Sequence, residues 1–204
     1  MAQARTGYTA TMQAAEIELK FPVADLGRVR RAAEALGFTL ETERTFESNT
    51  LYDTADRTLR GKKQILRLRQ YGATWTVTHK RKPDPGAADV QYKRRIETES
   101  VVDEGAALEA IFAHLGYNAV FRYEKFRTEY TATGGKLVLD ETPIGVWAEL
   151  EGEPAWIDAT LVGLGVDPAT CVTDSYGTLF LNWKSSTGSS AENLTFEEVG
   201  AVAV

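Results

Sequence analysis

The sequence predicts an α+β protein in which strands close into a barrel with a charged interior, and helices pack outside it. Charged and apolar residues alternate in successive segments. Residues 16–21, for example, place Glu16, Glu18 and Lys20 on one face of a strand and three apolar residues on the other. An exposed strand would turn its charged face to water, whereas a closed sheet with outer helices can hold that face inside. Basic residues concentrate on one set of strands and carboxylates on another, which favours the closed sheet.

Eight strands and four helices are predicted in chain order. The strands lie at residues 16–21, 40–54, 64–70, 74–81, 90–99, 120–131, 136–141 and 146–152. The helices lie at residues 25–36, 103–115, 154–164 and 174–183. Asp25 can cap the first helix and Gly37 can end it, and the apolar positions of this helix share one stripe. Gly72 and residues 83–86 supply turns between strands.

Length and composition indicate one globular domain. The chain has 204 residues, of which 43% are hydrophobic and 25% are charged. We expect the domain at residues 14–184, an N-terminal tail at residues 1–13 and a flexible C-terminal tail at residues 185–204, which begins with a stretch rich in Ser and Gly. Neither a signal peptide nor a stretch long enough to span a bilayer is recognised, so we expect a cytoplasmic protein without membrane contact.

The net charge of −6 argues against a broadly basic nucleic-acid binder. That sum hides a strong segregation, because residues 57–95 hold twelve lysines and arginines against two acids, and residues 140–153 hold five acids and no base. A charge run is usually a solvated face. Since these charges fall on alternate strand positions, we expect bases opposite acids around a lumen, an arrangement suited to a polyanion with its divalent cations.

Few soft metal ligands are present. Cys171 is the single cysteine, which excludes an intramolecular disulfide and a cysteine-based zinc cluster. The two histidines, His79 and His114, argue against a histidine-rich site. Any metal would therefore be a hard ion bound by carboxylates.

Short motifs in a fixed order resemble those of the CYTH superfamily, the triphosphate tunnel metalloenzymes. The segment Glu16-Ile17-Glu18-Leu19-Lys20 resembles the E-x-E-x-K signature of that family. It is followed in the expected order by Leu51-Tyr52-Asp53-Thr54, Leu66-Arg67-Leu68-Arg69, Thr78-His79-Lys80, Arg95-Ile96-Glu97, Lys125-Phe126-Arg127, Leu139-Asp140, Glu149-Leu150-Glu151 and Ser175-Tyr176. The resemblance covers residues 14–184 and implies an antiparallel barrel of about eight strands that forms a tunnel.

The resemblance also implies a metal side and a phosphate side of the tunnel. Mg²⁺ or Mn²⁺ prefers carboxylate oxygens, and the implied ligands are Glu16, Glu18, Asp140, Glu149 and Glu151. The implied triphosphate-binding residues are Arg67, Arg69, Lys80, Arg95, Lys125, Arg127 and Lys184. Lys20 matches the family lysine that contacts phosphate or helps to place the nucleophile, so Lys20, Glu16 and Glu18 form the expected catalytic group.

The sequence leaves the roles of some residues open. The roles of Lys93, Glu97 and Glu99 are not assigned, because a one-residue slip in strand register would exchange the two faces. Asp53 is equally compatible with a structural and a functional role. Lys184 ends a predicted helix, where a cation also favours the helix dipole.

The nucleophile separates the activities of the resembled family, which includes class IV adenylate cyclases, thiamine triphosphatases and inorganic triphosphatases. Attack by water gives a triphosphatase, and attack by the ribose 3′-hydroxyl of ATP gives cyclic AMP and pyrophosphate. Class IV cyclases tend to carry a His-Phe pair four residues before the E-x-E-x-K start, where this chain has Ala10-Thr11. That absence favours hydrolysis.

We therefore expect metal-dependent hydrolysis of inorganic triphosphate, thiamine triphosphate or a nucleoside triphosphate. The alternatives are a class IV adenylate cyclase and a non-catalytic module that binds polyphosphate. The expected partner is a small-molecule triphosphate, rather than nucleic acid or a membrane. A homodimer is left open.

Overall fold

A computed structural model describes residues 14–83 and 91–201 of the chain. Its eight strands form one closed barrel in the order β1-β5-β4-β3-β2-β6-β7-β8, and all neighbouring strands are antiparallel. The strands are β1 (Ala14–Pro22), β2 (Thr39–Asp53), β3 (Ile65–Tyr71), β4 (Thr74–Arg81), β5 (Lys93–Val102), β6 (Asn118–Ala132), β7 (Gly135–Thr142) and β8 (Gly145–Gly152). The predicted α+β barrel is confirmed.

Six helices are described between and after the strands. They are α1 (Leu26–Ala35), α2 (Thr58–Gly61), α3 (Gly105–His114), α4 (Pro154–Leu164), α5 (Tyr176–Thr187) and α6 (Phe196–Val199). The sequence predicted the four longer ones, and missed α2 and α6, which have four residues each. Asp25 caps α1 as expected, because its carboxylate accepts the backbone N–H of Arg28 at 2.9 Å.

The barrel is inverted relative to an ordinary soluble sheet. In β1, Ile17, Leu19 and Phe21 lie outside in a core shared with α1 and α4, whereas Glu18 and Lys20 line the interior. That outer core also holds Ile157 and Leu161 of α4, which are 0% and 1% exposed. Fully burying an aliphatic side chain of this size stabilises a protein by about 1.5–3 kcal/mol. The helices therefore supply the apolar environment that an ordinary barrel keeps inside.

Two further apolar clusters cover other parts of the outer surface. Helix α3 places Phe112 against Tyr52 of β2 and Leu68 of β3. Helix α5 places Leu179 and Phe180 against β6, together with residues that follow the helix. The charged interior is thus enclosed by strands whose apolar outer faces pack, in three clusters, against helices.

The predicted flexible C-terminal tail is wrong for residues 185–201. Helix α5 continues to Thr187, and Leu194 is 0% exposed. The Leu194 backbone donates to the carbonyl of Arg122 at 3.0 Å and accepts from the N–H of Glu124 at 2.9 Å, so this segment adds a bridge beside β6. The Ser/Gly composition of residues 185–190 gave no indication of this apolar anchor a few residues later.

Several sequence-based expectations fall outside the described residues. They concern the N-terminal tail at residues 1–13, the Ala10-Thr11 position within it, and all but the first residue of the predicted turn at 83–86. In the two described ranges, no helix combines the length and the apolar character needed to cross a membrane.

Leu194→Ala tests whether the C-terminal segment is part of the folded domain. Truncating a fully buried leucine costs about 2–5 kcal/mol, so we expect the free energy of unfolding in urea to fall by that amount. Val162→Ala is the control, because Val162 is 78% exposed and its truncation should change stability by less than about 0.5 kcal/mol. Equal effects of the two substitutions would mean that Leu194 lies in a mobile tail.

Candidate active site in the barrel lumen

The lumen contains a cavity of about 400 Å³ lined by charged side chains from alternate strand positions. Eight basic side chains line it: Lys20, Arg67, Arg69, Lys80, Lys93, Lys125, Arg127 and Lys136. Seven acidic side chains line it: Glu16, Glu18, Glu97, Glu99, Glu129, Glu149 and Glu151. Most of the predicted site residues are therefore brought together in one enclosed space.

The charges divide the barrel wall into two arcs. Strands β8, β1 and β5 are consecutive and carry six of the seven lining acids, with only Glu129 elsewhere. Strands β4, β3, β6 and β7 carry six of the eight lining bases, and Lys20 and Lys93 lie among the acids. We call these the acidic arc and the basic arc. The separation of sign seen along the sequence becomes a separation across the cavity.

On β3, Arg67 and Arg69 are fixed by a shared carboxylate. Nη2 of Arg67 lies 3.7 Å from Glu99, and Nη2 of Arg69 lies 3.5 Å from it. Thr78 accepts a hydrogen bond from Arg67 at 3.1 Å and donates one to Glu99 at 2.8 Å. Burial disfavours the charged form of Arg67, but contacts with Tyr123 and the charge of Glu47 raise the pKa of its guanidinium above the usual value. Arg67 therefore stays charged.

Asp140 organises the other half of the basic arc. It is 0% exposed and is not among the residues that line the cavity. Arg127 donates to its two oxygens at 2.8 and 2.7 Å, Lys125 donates at 2.8 Å, and the hydroxyl of Tyr176 donates at 2.6 Å. The resemblance implies a metal ligand here, and in the structure this carboxylate accepts hydrogen bonds from two cations and a phenol.

Glu47 of β2 was not singled out from the sequence. It is 0% exposed and lies 3.4 Å from Nζ of Lys125 and 3.7 Å from Nε of Arg127. Burial alone would raise the pKa of this carboxyl, but the charges of Lys125 and Arg127 bring it well below the usual range. Period-two spacing along β2 puts Glu47, Asn49 and Leu51 on one face, and that pattern was available as a signal.

Lys20 is the central cation of the acidic arc. Its ammonium lies 2.5 Å from Glu149 and 3.8 Å from Glu18, and Glu18 also binds Lys93. Burial would lower the pKa of Lys20, but the charges of Glu149 and Glu18 raise it above the usual value. The predicted catalytic lysine is therefore a protonated, fully buried cation between two of the predicted metal ligands.

Glu16, Glu97 and Glu151 lie together at the end of the acidic arc where β1 begins. Burial and a hydrogen bond with Glu16 raise the pKa of Glu97 to about 7. Burial would also raise the pKa of Glu16, but the proton shared with Glu97 and the charge of Lys80 lower it to about 2. Burial and the charge of Glu16 raise the pKa of Glu151 to about 8. This end of the lumen carries more carboxylates than its own bases neutralise.

The donor set of the acidic arc fits a hard divalent cation. Carboxylate oxygens are the ligands that Mg²⁺ and Mn²⁺ prefer. Burial and the neighbouring Glu16 raise the pKa values of Glu97 and Glu151, and a bound cation would favour their charged forms. As the side chains stand, no three metal-binding groups converge on one point within residues 14–83 and 91–201. Lysines lie between the acids instead, as Lys20 does between Glu18 and Glu149.

Arg95 and Lys184 are placed away from the lumen cavity. Both line a second cavity of about 460 Å³ at the end of the barrel where β2 ends and β3 begins. Asp53 lies at this end too, and its carboxylate accepts the backbone N–H groups of Thr54, Leu59 and Arg60 at 2.8–2.9 Å. The sequence was compatible with a structural or a functional role for Asp53, and these hydrogen bonds indicate the structural one.

Tyr176 is a lumen residue that was noted only as part of a motif. Its ring lies beneath two ammonium groups, with Nζ of Lys20 at 4.6 Å and Nζ of Lys125 at 4.7 Å from the ring centroid. It is the first residue of α5, whose N-cap Ser175 also lines the cavity. Tyr176 therefore links the predicted catalytic lysine to the basic arc through one aromatic face.

A family model, that of the CYTH domain, matches residues 14–155 of the chain. Among curated proteins, a candidate adenylate cyclase of Methanocaldococcus jannaschii is 26% identical over 137 residues, which cover 67% of this chain and 75% of that relative.

Two solved structures illustrate the structural similarity. A candidate adenylate cyclase of Vibrio parahaemolyticus aligns with a TM-score of 0.70 and 17% identity, covering 83% of this chain and 99% of that one. HpAC1 of Hippeastrum, a candidate adenylyl cyclase for which a dominant triphosphatase activity is stated, aligns with a TM-score of 0.61 and 20% identity. The alignment covers 84% of this chain and 96% of that one. At these identities the likeness concerns the fold.

Tyr176→Phe tests the support that Asp140 receives. The substitution keeps the ring beneath the lysines and removes one hydrogen bond to a buried carboxylate. We therefore expect the free energy of unfolding in urea to fall by about 1–3 kcal/mol. Tyr130→Phe is the control, because no hydrogen bond of the Tyr130 hydroxyl is found within the described ranges, although its ring is equally buried. Equal changes in both variants would mean that the Tyr176 hydroxyl does not stabilise Asp140.

Glu151→Gln tests the excess negative charge of the acidic arc. The pKa of Glu151 rises from 4.5 to about 8 on folding, so the unfolded chain loses this proton at a lower pH than the folded protein does. The free energy of unfolding therefore falls as the pH rises from about 4.5 to about 8. In metal-free buffer, the variant should match the natural protein near pH 5 and exceed its stability by about 1–3 kcal/mol near pH 8.5. Glu43→Gln changes an exposed glutamate and should show no such divergence. A constant difference between Glu151→Gln and the natural protein across this pH range would contradict the assignment.

Proposed function

The chain belongs to the CYTH domain family, and we propose that it is a divalent-metal-dependent triphosphatase that hydrolyses a phosphoanhydride bond of a small triphosphate by attack of water in the lumen. The observation that carries this proposal is the pair of opposed arcs around one cavity of about 400 Å³. A triphosphate with a divalent cation presents the complementary pattern, because its phosphate oxygens bind bases and its metal binds carboxylates.

The basic arc is assigned to the triphosphate. Arg67 and Arg69 can clamp phosphate oxygens with their planar guanidinium groups, and Lys125 adds a compact charge. Asp140 holds Lys125 and Arg127 in fixed positions before any ligand arrives. Because phosphoryl transfer depends mainly on positioning and on neutralising the equatorial oxygens, such preorganised cations supply much of the catalysis.

The acidic arc is assigned to Mg²⁺ or Mn²⁺. Glu16, Glu18, Glu149 and Glu151 would hold the ion, which supplies Lewis-acid stabilisation of the phosphate charge. Asp140 is left out of this set because it does not line the cavity and its oxygens accept hydrogen bonds from Lys125, Arg127 and Tyr176. Lys20 lies between Glu18 and Glu149, so it is placed to bind a phosphate oxygen next to these carboxylates.

Hydrolysis is preferred to cyclisation for two reasons. The chain lacks the His-Phe pair that class IV cyclases tend to carry, since Ala10-Thr11 stands there. The structural relative HpAC1 is named as a candidate cyclase and yet is stated to have a dominant triphosphatase activity. Adenylate cyclase activity is the second candidate, because the relatives from Methanocaldococcus and Vibrio both carry that name. A module that binds polyphosphate without turnover would gain nothing from six acids in one arc.

A product assay separates these candidates. The purified protein is incubated with inorganic triphosphate, thiamine triphosphate or ATP and with Mg²⁺ or Mn²⁺, and the products are identified by ion chromatography. We expect orthophosphate and the shortened phosphate chain, and no turnover after the metal is removed with a chelator. Cyclic AMP from ATP would contradict the hydrolase assignment, and binding of all three substrates without turnover would contradict an enzymatic role.

Two substitutions should separate the arcs by their kinetics. Glu18→Gln removes an anionic ligand from the acidic arc, so kcat should fall about 10- to 100-fold or the metal requirement should rise. Arg69→Ala removes a phosphate clamp, so KM should rise about tenfold or more.

Exposed residues provide matched controls for these substitutions. Glu43→Gln and Arg31→Ala change the same charges outside the lumen and should leave both constants unchanged. Loss of folded protein in both lumen variants, measured by circular dichroism, would mean that Glu18 and Arg69 are structural and that the arcs are wrongly assigned.

A further inference from the structure

One lumen acid, Glu99 of β5, lies at the border between the acidic and the basic arcs. In the register of the barrel, Glu99 is the partner of Thr78 on β4, and Thr78 is the partner of Arg67 on β3. These residues form one row across three strands, with a carboxylate at one end and a guanidinium at the other. Arg69 lies on the same face of β3 as Arg67. Glu99 therefore faces both arginines that the proposed function assigns to the triphosphate.

The contacts of Glu99 with these arginines are long. Its two carboxylate oxygens lie 3.7 Å from Nη2 of Arg67 and 3.5 Å from Nη2 of Arg69. A well-formed hydrogen bond from a guanidinium to a carboxylate or a phosphate has a length of about 2.7–2.9 Å. The Nε atoms of both arginines are buried and donate no hydrogen bond within the described ranges. Glu99 thus neutralises the two arginines without using their full capacity to donate hydrogen bonds.

Glu99 is also able to leave its partners. Its side chain is 33% exposed, the largest value among the acids that pair with lumen bases in the part of the chain that the structure describes. Glu149 is 6% exposed, and Glu47 and Asp140 are 0% exposed. A carboxylate already in contact with water loses little when its ion pair breaks, whereas a fully buried one would be left without compensation.

We propose that Glu99 competes with the triphosphate for Arg67 and Arg69, so that the ligand binds by displacing this carboxylate. Glu99 is then a positioning residue that lowers the affinity of the site. This inference rests on the lumen binding assigned in the proposed function. The exchange favours the triphosphate because phosphate oxygens accept paired, short hydrogen bonds from a planar guanidinium, whereas Glu99 contacts it at 3.5–3.7 Å.

A carboxylate that merely holds the arginines in their binding geometry would have the opposite effect on affinity. Asp140 is the example of such a group, since it is 0% exposed and accepts hydrogen bonds from Lys125 and Arg127 at 2.7–2.8 Å. Removing the charge of a holding group should weaken ligand binding, whereas removing the charge of a competitor should strengthen it. The sign of the change in affinity therefore identifies the role of Glu99.

Equilibrium binding to charge-neutral variants tests this inference without requiring turnover. The ligand is a triphosphate analogue with nitrogen bridges between its phosphorus atoms, titrated calorimetrically in Mg²⁺. Glu99→Gln removes the charge and keeps the size of the side chain, so we expect binding about three- to tenfold tighter than in the natural protein. In an Arg69→Ala background the same substitution should give a smaller gain, because one of the two competing ion pairs is already absent.

Glu129→Gln is the matched control. Glu129 lines the same cavity but forms no ion pair within 4.0 Å in the two described ranges. Its substitution changes the charge of the lumen by the same amount and should tighten binding by less than about twofold. Glu99→Asp is a second test variant, because it keeps the charge but withdraws it from the arginines, and it should give a smaller gain of the same sign. Circular dichroism verifies that each variant is folded.

Two results would overturn the inference: unchanged or weaker binding in Glu99→Gln, or equal gains in Glu99→Gln and Glu129→Gln, since the effect would then follow the net charge of the lumen alone. The outcome is separable from the proposed function. Tighter binding in Glu99→Gln, without hydrolysis of any triphosphate by the natural protein, would contradict the proposed function and support the competition. Hydrolysis by the natural protein, without a gain in Glu99→Gln, would do the reverse.

Discussion

Charge balance within a closed space is the constraint on which the rest of this structure depends. A barrel that turns its charged faces inward removes them from bulk water, and an unpaired buried charge is very costly. Asp140 shows how the cost is met, because Arg127, Lys125 and Tyr176 surround a carboxylate that is 0% exposed. The apolar faces must then be covered from outside, which is the task of α1, α3, α4 and α5.

This balance links stability to function. Buried ion pairs contribute little net stability compared with apolar residues of the same size, so a lumen with fifteen charged side chains is poorly explained by stability alone. The pair of Lys20 with Glu149 keeps that ammonium and that carboxylate charged and in position without a ligand. A triphosphate can replace the carboxylate that each base now binds, and its metal can replace the base that each carboxylate now binds. The lumen is therefore preorganised for a ligand that replaces its internal ion pairs.

The sequence predicted the barrel well because period-two alternation is a local property of each strand. In β1 it assigned Glu16, Glu18 and Lys20 to the lumen face without knowledge of the neighbouring strands. It could not assign roles that depend on contacts across the barrel, and so Asp140 was grouped with the metal ligands although its partners lie 13–36 residues away along the chain. Arg95 shares its strand face with Lys93 and Glu97 but lines the second cavity instead, a placement that the alternation along the strand does not reveal. Burial of Leu194 also depends on contacts with β6 that no local composition reveals.

The central claim is that the acidic arc holds a metal and the basic arc a triphosphate in the same cavity. A crystal structure with Mn²⁺ and a triphosphate analogue with nitrogen bridges between its phosphorus atoms tests it most directly, because anomalous scattering locates manganese independently of the side chains. The account predicts an anomalous peak next to Glu16, Glu18 and their neighbours in the acidic arc, and phosphates in contact with Arg67, Arg69 and Lys125. A manganese peak outside the lumen, or a triphosphate bound on the outer surface while Lys20 remains paired with Glu149, would contradict it.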